Sequence, residues 1–288
     1  MTKSDRSVPA SGEPREYFEP GITPLAPTQA FLEGARDLGV SFESGELERL
    51  GKYLAVLLDA NTRMNLTAIT SPDDAWLRHV LDSLTLLPVL ADLPESPRIV
   101  DVGSGGGAPA LPLAIVMPHA RFTLVEATKK KADFLLAAAK ALGLSNVEVV
   151  NNRAESIGAH PSLLRAQFDA VTARAVGRLA ILAELSVPLA KVGGIIALIK
   201  GQKANEELEE AKQALHMLHA SHAGTVDTPT GRIVVLEKRR TTPIDYPRKP
   251  GEPERAPLGV SRERPSRADR AKAPAREKNL PRKRGKVQ

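Results

Sequence analysis

Asp101-Val-Gly103-Ser-Gly105-Gly106-Gly107-Ala108-Pro109 is where residue type and spacing in this chain speak most directly of chemistry. Glycines clustered directly after an apolar run allow a tight turn and close approach of a ligand to the backbone. Three ligands compete for such a loop. A phosphate-cradling loop ends in Gly-Lys-Ser/Thr, and Ala108-Pro109 stands there instead, so that reading fails. A dinucleotide fold asks for Gly-x-Gly-x-x-Gly/Ala, which Gly103, Gly105 and Ala108 satisfy in its permissive form. S-adenosylmethionine (SAM) binding asks for an acid just before Gly-x-Gly-x-Gly, and Asp101, Gly103, Gly105 and Gly107 supply it.

Two further groups belong beside the loop. Glu126 follows the apolar run Phe122–Val125, where a carboxylate accepts hydrogen bonds from both ribose hydroxyls of an adenosine. That does not separate NAD from SAM. Asn152-Arg153-Ala154-Glu155 follows a third run, where a side-chain acceptor can read an adenine amino group; Glu155 reads equally well as a first-turn acid favoured by the helix dipole.

The elements that must hold these groups are legible as periodicity. Arg98–Val102, Arg121–Val125, Val147–Val150, Phe168–Thr172 and Gly194–Lys200 read as strands, with Gly224–Val226 and Arg232–Leu236 as an edge hairpin. Helices are expected over Pro109–Met117, Thr128–Leu142, around Ala154, and over Leu179–Ala190 and Ala204–His219. This alternation predicts an α/β fold, a parallel Rossmann-like sheet with helices on both faces. Upstream, Leu47, Leu50, Leu54, Leu57 and Leu58 recur at helical spacing, and Ser71-Pro72 opens another helix through Trp76, Val80, Leu84 and Leu87.

Composition narrows the classes. The 288 residues contain no cysteine, which excludes disulfide scaffolds, thiolate metal sites and a cysteine nucleophile. No apolar run reaches the roughly 18 residues of a membrane span, and the first twenty residues lack the apolar stretch of a secretory signal. The net charge of +6 is unevenly placed: residues 238–288 hold 17 Lys/Arg against 6 Asp/Glu, leaving 23 against 28 for the rest. That basic, proline-rich segment has no aromatic residue after Tyr246 and reads as a disordered tail, suited to a polyanion such as nucleic acid or merely solubilising. The expected organisation is a flexible arm over 1–27, a helical cap over 28–96, a ligand-binding sheet domain over 97–238 and the tail over 239–288.

Six segments together resemble one family. They are Asn65-Leu-Thr-Ala-Ile69, Arg78-His-Val-Leu-Asp-Ser83, the loop from Val100 to Pro112, Thr172-Ala-Arg-Ala175, Ile199-Lys-Gly-Gln202 and Tyr246-Pro-Arg-Lys-Pro-Gly251. In this order they are similar to the bacterial ribosomal RNA small subunit methyltransferase G family, also called glucose-inhibited division protein B. The resemblance implies a class I SAM-dependent methyltransferase acting on N7 of a guanosine in 16S ribosomal RNA. Its expected partner is that RNA or the small ribosomal subunit. A cytoplasmic monomer without metal or membrane attachment is expected. By the same resemblance the cofactor lies against Gly103, Ala108, Glu126, Ala127, Thr128, Ala154, Glu155 and Arg174. The family often has proline where Gly106 stands, and it says nothing of the 37 residues after Gly251.

The remaining candidates are side chains. Arg174, at a strand end, is the expected functional side chain for cofactor and substrate, with an ion pair to Asp101 or Glu126 as the alternative. His79 and Asp82 are three apart and can share a helical face; His79 and Asn65 are expected to face RNA or close over the cofactor. Lys200 and Gln202 are expected to face the substrate. Arg232 points at phosphate or guanine, or is an edge-strand charge that discourages aggregation. Lys129-Lys130-Lys131 reads as a surface run or a phosphate contact. His216, His219 and His222 read as a solvated helix end rather than a metal site. Purine N7 carries no proton, so no general base is expected. Two rivals stay open: a non-catalytic RNA- or ribosome-binding protein on the same scaffold, and an NAD-dependent oxidoreductase.

Overall fold

A computed structural model describes residues 17–19, 21–174 and 177–259. Expectations for 1–16 and 260–288 lie outside the described residues. The cap holds α1 (Gln29–Asp37), α2 (Glu46–Asn61), α3 (Pro72–Ala75), a π-helical turn (Trp76–Leu81), α4 (Asp82–Leu84) and α5 (Leu87–Leu90). The sheet domain follows as β1 (Arg98–Val102), α6 (Ala110–Val116), β2 (Arg121–Val125), α7 (Lys129–Ala141), β3 (Val147–Val150), α8 (Ala154–Gly158) and β4 (Phe168–Arg174). It closes with α9 (Leu179–Ser186), β5 (Ala190–Lys200), α10 (Ala204–Leu218), β6 (Ala220–Thr228), β7 (Gly231–Lys238) and α11 (Glu252–Arg255).

The seven strands form one sheet in the order β3-β2-β1-β4-β5-β7-β6. β1 to β5 pair in parallel, while β7 runs antiparallel to both β5 and β6. The α/β Rossmann-like expectation therefore holds, with one reversed strand inserted. Buried aliphatics on both sheet faces explain why these strands read as continuous apolar runs. The carboxyl ends of β3, β2, β1 and β4 consequently share one edge, and so do the loops that follow them.

The cap packs onto the same core. Ser71 Oγ accepts from the Asp74 amide with Pro72 in the first turn, as the sequence predicts. Trp76 is fully buried, its ring 4.5 Å from Phe31. A side chain of that size contributes about 1.5–3 kcal/mol on burial. No helix among the described residues is long and apolar enough to cross a membrane.

Both terminal expectations need correction within the described range. Tyr17, Phe18, Ile22 and Leu25 pack against the core, and the Leu25 amide donates to Gly51 O at 3.2 Å, so the arm is not free up to residue 27. Nor does an unpacked tail begin at 239. Thr242, Leu258 and Pro253 of α11 are buried, and Tyr246 packs on the second core cluster. The physical reason is that a few isolated apolar residues and two guanidiniums anchor this segment. Such anchors leave no periodic signature.

Candidate active site at the carboxyl edge of the sheet

The glycine loop is stitched to its neighbours. The Gly103 and Ser104 amides both donate to Val125 O, at 2.9 and 3.1 Å. Glu126, nearly buried, accepts from the Gly105 amide at 3.0 Å through Oε2 and from the Thr128 amide at 2.7 Å through Oε1. Asn151 Nδ2 donates to Glu126 O and Ala127 O, so the loops after β1, β2 and β3 form one rim. Each Glu126 oxygen accepts one amide and keeps a further lone pair.

Gly107 has no substitute. Its φ is +98°, and a Cβ there would lie 2.5 Å from Leu111 Cδ1. At Gly106 a Cβ would lie 2.9 Å from Leu57 Cδ1, while Tyr53 Oη donates to Gly106 O at 3.1 Å. The cap helix α2 thus occupies the space that a larger residue would fill.

Asp101 is the electrostatic anomaly of the rim. It is 1% exposed; Thr172 Oγ1 donates to Oδ1 at 2.8 Å, and Oδ2 has no partner among the described residues. Burial pushes its carboxyl up to about 6, against the pull of the Ser104 and Thr172 hydroxyls and the Arg174 guanidinium. A buried carboxylate with an unsatisfied oxygen is the partner a cationic ligand would find at this loop.

Arg174 does not take either expected ion partner. Its Nη1 donates to Arg78 O at 2.6 Å and lies 3.6 Å from Asp82 Oδ2; its Nη2 meets His79 Nδ1 at 2.9 Å. Burial, reinforced by Arg174 and Arg78, lowers His79 to about 3, so the ring is neutral. Its Nδ1 must then accept from Arg174, which makes Nε2–H the donor to Thr67 Oγ1 at 2.9 Å. Thr67 also accepts from the Ile69 amide at 3.0 Å. The hydroxyl of Thr230, in the β6–β7 turn, donates to Asp82 Oδ1. His79 and Asp82 are therefore joined through Arg174, in one network that ties the cap, the end of β4 and the hairpin turn.

The other candidates disperse. Asn65 is exposed, in a loop shaped by Asn61 Oδ1, which accepts from the Leu66 and Thr67 amides. Ala108 and Ala154 are buried at the rim, while Ala127 and Thr128 are exposed. Glu155 is buried, and Oε1 accepts from the Gly251 amide at 2.8 Å, a partner far along the chain. Lys200 does not face outward: its Nζ holds Gly177 O and Glu207 Oε2, both at 2.7 Å. Gln202 is exposed. Arg232 pairs with Asp227 on the same hairpin at 2.7 Å. The three histidines do not share a helix, because α10 stops at Leu218, His219 takes φ +62°, and His222 lies in β6. No group of three or more metal-binding side chains occurs among the described residues.

Sequence reasoning missed Thr67, Asn61, Thr172, Thr230 and Tyr53. Thr67 and Thr172 lie inside segments that resemble the family; Tyr53 and Thr230 are ordinary polar residues with remote partners, and Asn61 bonds a loop only five and six residues on.

Comparison with known proteins agrees with this architecture. Residues 46–232 match the family described as rRNA small subunit methyltransferase G (GidB). A ribosomal RNA small subunit methyltransferase G of Sorangium cellulosum is 50% identical over 228 residues, covering 79% of this chain and 95% of that protein. The proteins of the same name from Rubrobacter xylanophilus and Leuconostoc citreum are 42% and 39% identical, each covering 80% of this chain and 90% and 98% of theirs.

Proposed function

We infer, from the premise that this chain belongs to the rRNA small subunit methyltransferase G family, that it is a SAM-dependent methyltransferase acting on N7 of a guanosine in 16S ribosomal RNA. The observation that carries the cofactor reading is Asp101, a buried carboxylate with one oxygen unsatisfied beside a glycine cradle. The residues present fit SAM: Glu126 offers spare lone pairs for ribose hydroxyls, Gly103, Gly105 and Gly107 admit close backbone approach, and Asp101 suits a cation. Ala108, Ala127, Thr128 and Ala154 line the same rim, with Glu155 in the first turn of α8 beside it and Arg174 tying the end of β4 to the cap. When bound, SAM supplies a methyl group on positively charged sulfur.

The chain's own task is then placement. Guanine N7 presents a lone pair and no proton, so the protein need not remove one. His79 suits that: both its ring nitrogens are occupied, by Arg174 and Thr67, which makes it a positioning residue and not a base. Holding two reactants in line supplies the rate enhancement through proximity.

An RNA partner is supported by charge. The loops and first helical residues at 126–131, 151–153, 177–178 and 201–203 expose Lys129, Lys130, Arg153, Arg178 and Lys203. No exposed acid lies in these stretches, although Lys129 pairs with Asp133 at 3.0 Å and Arg153 lies 3.9 Å from Glu155. Cations along one edge attract a phosphate backbone without choosing a base. The protein acts as a cytoplasmic monomer on this RNA or on the small subunit that contains it.

The test has two arms. Calorimetry with SAM should show one site per chain. Methyl transfer to 16S RNA from cells lacking the protein should label one guanosine, and mapping should place it at N7. Absence of donor binding, or a fully modified RNA in the deleted strain, sinks the reading.

A further inference from the structure

The helix α8 borders the rim, yet it has only five residues, Ala154–Gly158. A helix this short does not hold itself; its position must come from what packs on it. Residues 239–259 grip it at both ends. At its N-terminal end Glu155 Oε1 accepts from the Gly251 amide at 2.8 Å. At its C-terminal end Arg165 Nη1 donates to Gly158 O at 2.5 Å, and the same guanidinium holds Tyr246 O, Thr242 O and Pro243 O at 2.6–3.0 Å. Pro247 closes the side: a Cβ at Gly158 would lie 3.2 Å from its Cγ.

The segment has its own anchor away from the rim. Arg248 donates from Nε and Nη2 to the two oxygens of Glu184, at 2.8 and 2.6 Å, and from Nη2 to Ala256 O at 2.8 Å. Glu184 lies on α9 and is fully buried. Leu258 and Tyr246 pack on the same core cluster.

We propose that residues 239–259 are a strap that sets the position of α8, and with it the nucleoside end of the cofactor crevice. Arg248 and Arg165 are its positioning residues. The proposal rests on the cofactor reading above. It assigns the strap to SAM affinity and not to RNA, although the segment's basic composition points to RNA at first sight.

Full-length Arg248→Ala and Gly158→Val decide it. The first removes an anchor that touches no rim residue. The second inserts a wedge between α8 and Pro247 without unpairing a buried charge, so it serves where Arg248→Ala does not fold. In each folded variant the KM and Kd for SAM should rise about 5- to 50-fold. The kcat at saturating SAM and the affinity for 16S RNA should stay within about twofold. Arg248→Lys, which keeps the charge, should recover part of the loss. Amide exchange at 154–158 should accelerate while β1 and β2 stay protected. SAM affinity within twofold of the parent in both variants overturns the proposal, as does unchanged exchange in α8. A parent protein that binds no SAM refutes the cofactor reading instead, and the exchange data then judge the strap alone.

Discussion

Asp101→Asn separates a ligand-facing carboxylate from a structural one. In the free protein its carboxyl is raised from 3.8 to about 6, chiefly by burial. At about 1.36 kcal/mol per unit of pKa, carrying the ionised group costs the folded chain about 3 kcal/mol at neutral pH. The folded state binds more protons than the unfolded one between pH 3.8 and 6, so this contribution to stability falls as pH rises through that window. Asparagine removes the cost and keeps the acceptor for Thr172 Oγ1. Its amide nitrogen replaces Oδ2, which has no partner among the described residues, and an unsatisfied buried donor costs about 1–3 kcal/mol. The two effects oppose, so urea stability at pH 7 should change by less than about 2 kcal/mol. SAM affinity should not escape so lightly. Losing a charge-assisted contact of about 1.5–3 kcal/mol weakens binding about 10- to 100-fold. Calorimetry from pH 5 to 8 should also show the parent losing SAM affinity below about pH 6, with no such dependence in the variant. An Asn variant that binds SAM within twofold of the parent would refute the reasoning.

Three further outcomes are expected. Arg174→Ala strips the cation from Asp82 and the donor from His79, which should lower stability by about 3 kcal/mol and methyl transfer about 10- to 100-fold; unchanged transfer kinetics would remove it from the site. Because His79 is held neutral down to about pH 3, the unfolded chain binds more protons between 3 and 6.5. Stability should therefore fall as pH drops through that window, by at most about 5 kcal/mol, and acid titration of His79→Gln by circular dichroism should show a shallower slope. Arg178→Gln combined with Lys203→Gln should reduce the slope of log K for RNA against log salt by about 0.7–0.9 per cation; the parent slope in the double variant would exclude both from the phosphate track.

β1 to β4 were legible because each is a short apolar run, and they begin and end within two residues of their predicted bounds; β5 starts at Ala190, four residues before its expected start, and β6 spans Ala220–Thr228 with a mostly polar sequence. Positions of Gly107 and Glu126 were legible because strand ends and glycine spacing fix them in one dimension. What stayed hidden were partners distant along the chain. Thr230 lies 148 residues from Asp82, and no local pattern marks it; Gly251 lies 96 from Glu155, and although it ends a recognisable segment, nothing in that segment points to Glu155. One signal for the strap was nevertheless present. Leu179–Ser186 is buried on every side, and a helix apolar all round requires cover beyond the sheet. The basic, proline-rich composition after Lys238 hid that cover. Composition averages over a segment, while a salt bridge to a fully buried Glu184 depends on one guanidinium in the right place.

That α8 is clasped by residues about ninety positions downstream has a consequence for biosynthesis. A ribosome emits the cap and most of the parallel strands well before Tyr246 to Gly251 leave the exit tunnel. Until then the nascent chain has its glycine turn and its carboxylates but lacks the clasp beside them. On the strap proposal, competence for the methyl donor is acquired late: a chain released before Tyr246 would carry the glycine turn yet leave α8 unclasped and the buried Glu184 without Arg248.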